Sequence, residues 1–182
     1  PAESISTPVL MHSVNVEESE RIKTGIGEFD RVLGSGIVDG SVVLIGGDPG
    51  IGKSTIMLQM LAKMSGAGKK CLYVSGEESV RQISLRGKRL GSVGESLFVV
   101  SETDLETILN IVEAAQYDVL VIDSIQTVFH PDVASTPGSV SQIREAAMQF
   151  MKLAKTTGLP VFLIGHVTKV GTIAGPKIME HM

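Results

Sequence analysis

The sequence predicts an α/β domain with a mostly parallel, twisted sheet and helices on both faces. Five short runs are continuously apolar rather than alternating, which is typical of strands that helices cover on both faces. Segments with a helical period separate these runs, and the first run leads into a glycine-rich loop. The five runs are residues 42–45, 71–74, 97–100, 119–122 and 161–164.

The N-terminal third can be assigned in chain order. Residues 1–21 lack a clear period and are expected to form an arm or linker, and residues 22–182 are expected to form the domain. Residues 24–33 predict a short helix that ends at Gly34 and Gly36. Three later helices have start signals with the spacing of a capping box. These pairs are Ser79 with Gln82, Thr103 with Glu106, and Ser139 with Gln142.

Composition limits the classes of protein to consider. A length of 182 residues with 43% hydrophobic content provides a core without disulfides or a structural metal. The single cysteine, Cys71, favours a reducing compartment, so we expect a cytoplasmic protein. No apolar run approaches the roughly 20 residues that cross a bilayer, so we expect no membrane partner. A net charge of −4 leaves any DNA contact to local loops.

The most specific motif is the glycine-rich loop, which matches G-x-x-x-x-G-K-[ST] between a predicted strand and a predicted helix. Its glycines allow backbone N–H groups to converge on phosphate oxygens at a helix N-terminus. Lys53 brings a positive charge to the β and γ phosphates, and the Ser54 hydroxyl is placed to ligate Mg²⁺. We therefore predict a site for ATP and Mg²⁺ rather than a structural turn. The nucleotide-binding residues are Gly47, Asp48, Pro49, Gly50, Ile51, Gly52, Lys53, Ser54 and Thr55.

Acidic residues follow two later apolar runs. Asp123 fits the Walker B pattern, in which an Asp at a strand end holds a water ligand of Mg²⁺; a helix or turn cap is the alternative. Glu77 and Glu78 directly follow the second run, where a carboxylate would orient the water that attacks ATP. The alternative for this pair is that both acids complement the dipole of the next helix.

Taken together, these motifs resemble the bacterial RadA (Sms) family of DNA-repair ATPases, which is related to RecA. The resemblance runs from about residue 20 to the end of the chain and implies a RecA-like P-loop NTPase fold. It also implies a hexameric, DNA-dependent ATP hydrolase that binds single-stranded or branched DNA and acts with RecA in branch migration. The matching stretches are residues 24–25, 29–33, 36–38, 47–55, 73–79, 122–127, 138–145, 165–169 and 174–176.

The resemblance also implies roles for single residues. Glu77 rather than Glu78 matches the glutamate that activates water, and Lys53 acts on the transferred phosphate. His166 matches a sensor of the γ phosphate, and a loop histidine bonded to backbone is the alternative. The family carries a four-cysteine zinc finger, a Lys-Asn-Arg-Phe-Gly motif and a Lon-protease-like domain that this sequence does not contain. Since the chain also starts at Pro1, we expect an excised domain with weak ATPase activity.

Two other functions share part of this motif set. A KaiC-like signalling ATPase has the same core and the same opening motif, and a nucleotide-gated assembly module would bind ATP without turnover. The presence of Glu77 and Asp123 argues against the assembly module.

Two loops and one helix are weaker candidates for contact with DNA. Residues 130–138 are the candidate DNA loop by analogy with RecA, but they contain no Lys, Arg, Trp or Tyr, so an ordinary exposed loop is favoured. Residues 171–175, with Lys169 and Lys177, form a second candidate loop. Arg86 belongs to a basic helix that we expect to be a solvated face.

Overall fold

The computed structural model describes residues 10–11, 21–91 and 94–166. Most of the expected arm, residues 1–21, lies outside the described residues. The second candidate DNA loop, with Lys169, Lys177 and residues 171–175, also lies outside them.

All five apolar runs form strands of one sheet. Every neighbouring pair is parallel, which confirms the predicted fold class. The first and third strands lie at the two edges, so they are only partly buried, whereas the central strands are buried. The strands are β1 (Val42–Gly47), β2 (Cys71–Ser75), β3 (Leu97–Ser101), β4 (Val119–Asp123) and β5 (Val161–His166). Their order across the sheet is β1-β5-β4-β2-β3.

Helices cover both faces of the sheet, as predicted. The helices are α1 (Gly27–Val32), α2 (Lys53–Gly66), α3 (Val80–Arg89), α4 (Leu105–Glu113) and α5 (Val140–Thr157), and a 3₁₀ turn lies at Ile125–Thr127. Side chains of α1, α2 and α3 pack with Tyr73, Val121 and Phe162 into one core. Side chains of α4 and α5 pack with Leu72 and Ile122 into a second core. Successive strand residues thus face opposite layers.

Local hydrogen bonds decide where the helices start. The predicted capping box at Ser79 and Gln82 is present in full. The prediction for α4 is wrong by one residue: Asp104 is the cap, because the Glu102 carboxylate accepts hydrogen bonds from the N–H groups of Thr103 and Asp104. The predicted helix over residues 24–33 is shorter than expected. Its first part is a turn in which Asp30 accepts from the N–H and hydroxyl of Thr24.

The loop over residues 130–138 is held by one buried side chain. Gln142 Oε1 accepts from the N–H of His130 at 2.7 Å, and the two N–H donors of Gln142 Nε2 are shared among the carbonyls of His130, Val133 and Ser135, at 3.1, 3.0 and 3.0 Å. This use of Gln142 leaves only half of the expected capping box at Ser139, whose hydroxyl accepts from the Gln142 N–H. Within the described ranges, no helix combines the length and the apolar character that crossing a bilayer requires.

Candidate nucleotide-binding site

The candidate residues meet at one edge of the sheet because all the strands run in the same direction. The register places His166 beside Gly47, and Asp123 beside Ser75. The phosphate loop after β1, His166 on β5, Asp123 on β4 and the two glutamates after β2 therefore lie along the carboxyl edge. This is the edge at which open α/β sheets bind their ligands.

The phosphate loop ends in a helix N-terminus without a side-chain cap. Gly52 precedes α2 with a φ of +96° and has no side chain that could cap this 14-residue helix, and within the described ranges no other side chain accepts from its first turn. A left-handed φ of this size favours glycine, since a Cβ atom would clash with the backbone. The first N–H groups of α2 thus lack side-chain acceptors at the positive end of the helix dipole. They fit an anion such as a phosphate.

Lys53 lies inside the loop and bonds to backbone oxygens. Its side chain is almost fully buried at 7% exposure, and its Nζ donates to the carbonyls of Gly47 and Asp48 at 2.6 and 2.7 Å. No carboxylate among the described residues forms an ion pair with it. The ammonium charge is therefore uncompensated, which also fits a phosphate.

A cavity of about 170 Å³ opens beside the loop. Its volume suits phosphate groups rather than a whole nucleotide, because pockets for drug-sized ligands measure about 300–1,000 Å³. Two larger cavities, of about 580 and 290 Å³, lie away from the phosphate loop. Neither borders a helix N-terminus of this kind, so the small cavity is the better anion site. It is lined by Gly50, Gly52, Lys53, Ser54, Thr55, Arg86 and His166.

Asp123 is buried at 8% exposure and has a defined partner. Its Oδ2 accepts a short hydrogen bond from the Tyr73 hydroxyl, and Arg86 Nη2 donates to the same hydroxyl at 3.1 Å. Burial, followed by the charge of Asp123 and the hydrogen bond to it, raises the pKa of the Tyr73 phenol, which therefore stays protonated. The next turn has Ser124 as its N-cap, and the hydrogen bond that the Asp123 side chain forms within the described residues is the one from Tyr73.

Glu77 and Glu78 both precede the helix, since α3 starts after its cap at Ser79. Neither acid lies in the first turn of α3, where it would have to lie to complement the helix dipole. The Ser75 hydroxyl accepts from the N–H groups of Glu77 and Glu78 at 3.4 and 3.0 Å and holds the turn. Glu78 Oε2 lies 2.8 Å from Arg86 Nη2, whereas Glu77 Oε1 lies 3.5 Å from His166 Nε2.

His166 is the last residue of β5, and its ring lies between the loop and Glu77. The ring Nδ1 is buried and has no hydrogen-bond partner in the part of the chain that the structure describes. The ring lines the small cavity together with Lys53 and Ser54. The alternative interpretation, in which the ring bonds to backbone, does not hold within the described residues.

Tyr73 and Arg86 belong to the site but were not predicted from the sequence. Arg86 was expected on a solvated face, but its side chain turns inward, to 24% exposure, and lines the cavity. The helical period contains the signal: Arg86 lies three residues after Ile83, which is fully buried, and beside Gly87, which is also buried.

Comparisons with known proteins agree with this geometry. A sequence-family model described as "AAA domain" matches residues 13–172. "DNA repair protein RadA" of Bacillus subtilis (strain 168) is 53% identical over 99% of this chain and 39% of the relative. The proteins of the same name from Listeria monocytogenes and Streptococcus pneumoniae are 49% and 52% identical over 98% and 96% of this chain. These matches confirm the resemblance seen in the sequence. The chain spans about two fifths of the length of these relatives, from 39% to 41%.

Proposed function

Because the chain belongs to the AAA-domain family, we propose that it binds ATP with Mg²⁺ and hydrolyses ATP, as the ATPase domain of a DNA-dependent repair protein. The observation that carries this proposal is the convergence at one sheet edge of an uncapped helix N-terminus, an unpaired Lys53 and two sets of carboxylates. Anion site, cation ligands and a base for water together suit phosphoryl transfer to water.

The phosphates and the metal would be held by separate residues. The N–H groups of the loop, residues 47–55, and the Lys53 ammonium bind the phosphates, and the Ser54 hydroxyl and Asp123 hold Mg²⁺. When bound, Mg²⁺ neutralises negative charge on the phosphate oxygens. Lys53 exchanges its two carbonyl acceptors, at 2.6 and 2.7 Å, for phosphate oxygens of the nucleotide.

Glu77 is the better base for the attacking water. Its side chain is 59% exposed, and its contact with His166 at 3.5 Å is longer than a good hydrogen bond. Glu78 is only 33% exposed, and its ion pair with Arg86 at 2.8 Å holds its carboxylate away from this task. Glu77 thus orients the water and accepts its proton. The neighbouring His166 contacts the γ phosphate and reports its presence to Glu77.

The finer proposals concern the whole protein. We propose that it is a homo-hexameric, DNA-dependent motor in recombinational repair, which acts with RecA in branch migration on single-stranded or branched DNA in the cytoplasm. The name of its relatives, "DNA repair protein RadA", and their identities of 53% and 52% support the part of this proposal that concerns DNA repair. Residues 22–182 are proposed as the ATPase domain and residues 1–21 as a linker, although the family match already begins at residue 13.

Replacement of Lys53 tests the binding site directly. We expect K53A to lose at least about 100-fold in affinity for Mg²⁺-ATP, since about 3 kcal/mol is lost with a charge-assisted contact. The fold should persist, because both acceptors of Lys53 belong to the loop. Titration calorimetry measures the affinity, and K152A, which removes an exposed lysine of α5, is the matched control. Equal ATP affinity in K53A and K152A would refute the site.

Turnover with and without DNA separates the proposed motor from the two alternative functions. The full-length protein should hydrolyse ATP faster when single-stranded DNA is added, and the stimulation should fall as salt screens contacts to the phosphates. The chain of 182 residues alone should show weak turnover. Turnover indifferent to DNA, together with autophosphorylation, would favour a signalling ATPase, and binding without turnover in the full-length protein would favour an assembly module.

A further inference from the structure

A row of polar side chains, buried at Tyr73 and Asp123 and partly exposed at Arg86 and Glu78, joins β2, β4 and α3 beside the phosphate loop. Tyr73 pairs with Val121 in the register of β2 and β4, and both side chains belong to the core under α2 and α3. Asp123 follows Val121 by two residues and so faces the same side of the sheet. The long Tyr73 side chain spans this diagonal, and its hydroxyl meets the Asp123 carboxylate.

The chemistry of the three groups fixes the direction of the hydrogen bonds. A guanidinium has only donors, and an ionised carboxylate has only acceptors. The Tyr73 oxygen must therefore accept from Arg86, at 3.1 Å, and its single proton must go to Asp123 Oδ2. Glu78 accepts from the same Arg86 Nη2 at 2.8 Å and keeps the guanidinium in place. The row thus runs from Glu78 through Arg86 and Tyr73 to Asp123.

We propose that Tyr73 is a positioning residue that fixes the Asp123 carboxylate toward the Mg²⁺ of the bound nucleotide, and that the Arg86–Glu78 ion pair holds Tyr73 in this role. The hydrogen bond occupies Oδ2, whereas Oδ1 receives no hydrogen bond from the described residues. Oδ1 is thereby left to hold a water of the metal. Groups that orient a metal ligand in this way typically change metal affinity or activity by about 10–100-fold when they are removed.

The inference rests on the proposed ATP site and makes a different claim about it. If Tyr73 only filled the core, its hydroxyl would be irrelevant to the metal, and any effect of its loss would be equal with and without Mg²⁺. If Tyr73 positions Asp123, its hydroxyl affects only the contribution that Mg²⁺ makes to nucleotide binding. The gain in affinity caused by Mg²⁺ is therefore the quantity to measure.

The experiment compares two tyrosine variants by calorimetry with a non-hydrolysable ATP analogue, in excess Mg²⁺ and in EDTA. In EDTA, we expect Y73F and the unmodified chain to bind the analogue with equal affinity. In excess Mg²⁺, the increase in affinity should be about 10–100-fold smaller for Y73F than for the unmodified chain. The matched control is Y117F, which removes the other phenol of the chain, next to Phe98 at the opposite end of β4. Y117F should keep the full gain.

A second variant keeps the test decisive if Y73F does not fold. R86M removes the guanidinium that sets the direction of the Tyr73 hydroxyl. We expect Mg²⁺ to increase the affinity of R86M for the analogue less than it does for the unmodified chain, with a smaller deficit than in Y73F. The inference would be overturned if Mg²⁺ increased the affinity of Y73F for the analogue as much as it increases that of Y117F. If Y73F is unfolded, the same comparison is made between R86M and Y117F. Failure of the unmodified chain to bind the analogue at all would instead refute the proposed ATP site.

Discussion

Glu77 and Glu78 are neighbours in the chain, but they lie in opposite environments. Glu78 turns toward α3 and forms an ion pair with Arg86 at 2.8 Å. Glu77 turns toward the phosphate loop, where its carboxylate lies 3.5 Å from His166 and is 59% exposed. Both begin from the same turn, since the Ser75 hydroxyl accepts from both of their N–H groups.

The difference shows how one short turn can supply two distinct kinds of carboxylate. A carboxylate paired with a guanidinium is a structural anchor, because its oxygens are engaged and its charge is compensated. A carboxylate that keeps solvent contact and lacks a close cation can orient water and accept a proton. The direction in which each side chain leaves the turn therefore decides the role, and residue type alone does not.

The largest expected effect comes from Glu77. E77Q should retain ATP affinity and lose about 100-fold or more in turnover, because a general base contributes about 10²–10⁴-fold to such reactions. E78Q should lose less turnover, since a glutamine can still accept from Arg86. Steady-state hydrolysis by the full-length protein in the presence of DNA measures both variants.

A matched control removes a glutamate charge outside the site. Glu113 is exposed at the end of α4 and borders the cavity that lies away from the phosphate loop, so E113Q should hydrolyse ATP at the unmodified rate. Equal turnover in E77Q and E113Q would contradict the role of Glu77. A greater loss in E78Q than in E77Q would exchange the roles of the two glutamates.

Features whose residues follow one another in the chain could be predicted from the sequence. The phosphate loop carries its whole signal within residues 47–55, and each of the five apolar runs became a strand because burial on two faces leaves a local trace. The cap of α4 was misassigned because the Glu102 side chain competes for the N–H of Thr103.

The partner of Asp123 could not be predicted in this way. Tyr73 lies 50 residues away in the chain, and the contact exists only because β2 pairs with β4 in the sheet order. The apolar run that contains Tyr73 reads as a strand core and gives no sign of a functional hydroxyl. Arg86 is different: we predicted a solvated face, but its position three residues after the apolar Ile83 is a signal in the sequence for an inward side chain.

The smallest expected effect concerns the start of α3. This helix carries Arg86, the ion-pair partner of Glu78, whereas Glu77 contacts His166 of β5. The Ser79 hydroxyl accepts from the Gln82 N–H at 3.3 Å, and Gln82 Oε1 accepts from the Ser79 N–H at 2.8 Å. S79A should lower the free energy of unfolding by about 1 kcal/mol, as is typical for loss of an N-cap. Urea denaturation measures this change against S84A, which replaces an exposed serine within the same helix. Because loss of the cap affects the first turn of α3 and leaves Arg86, in the last turn, in place, ATP affinity without Mg²⁺ should be the same in both variants. A selective loss of that affinity in S79A would contradict this expectation and would mean that the cap also positions Arg86 at the cavity.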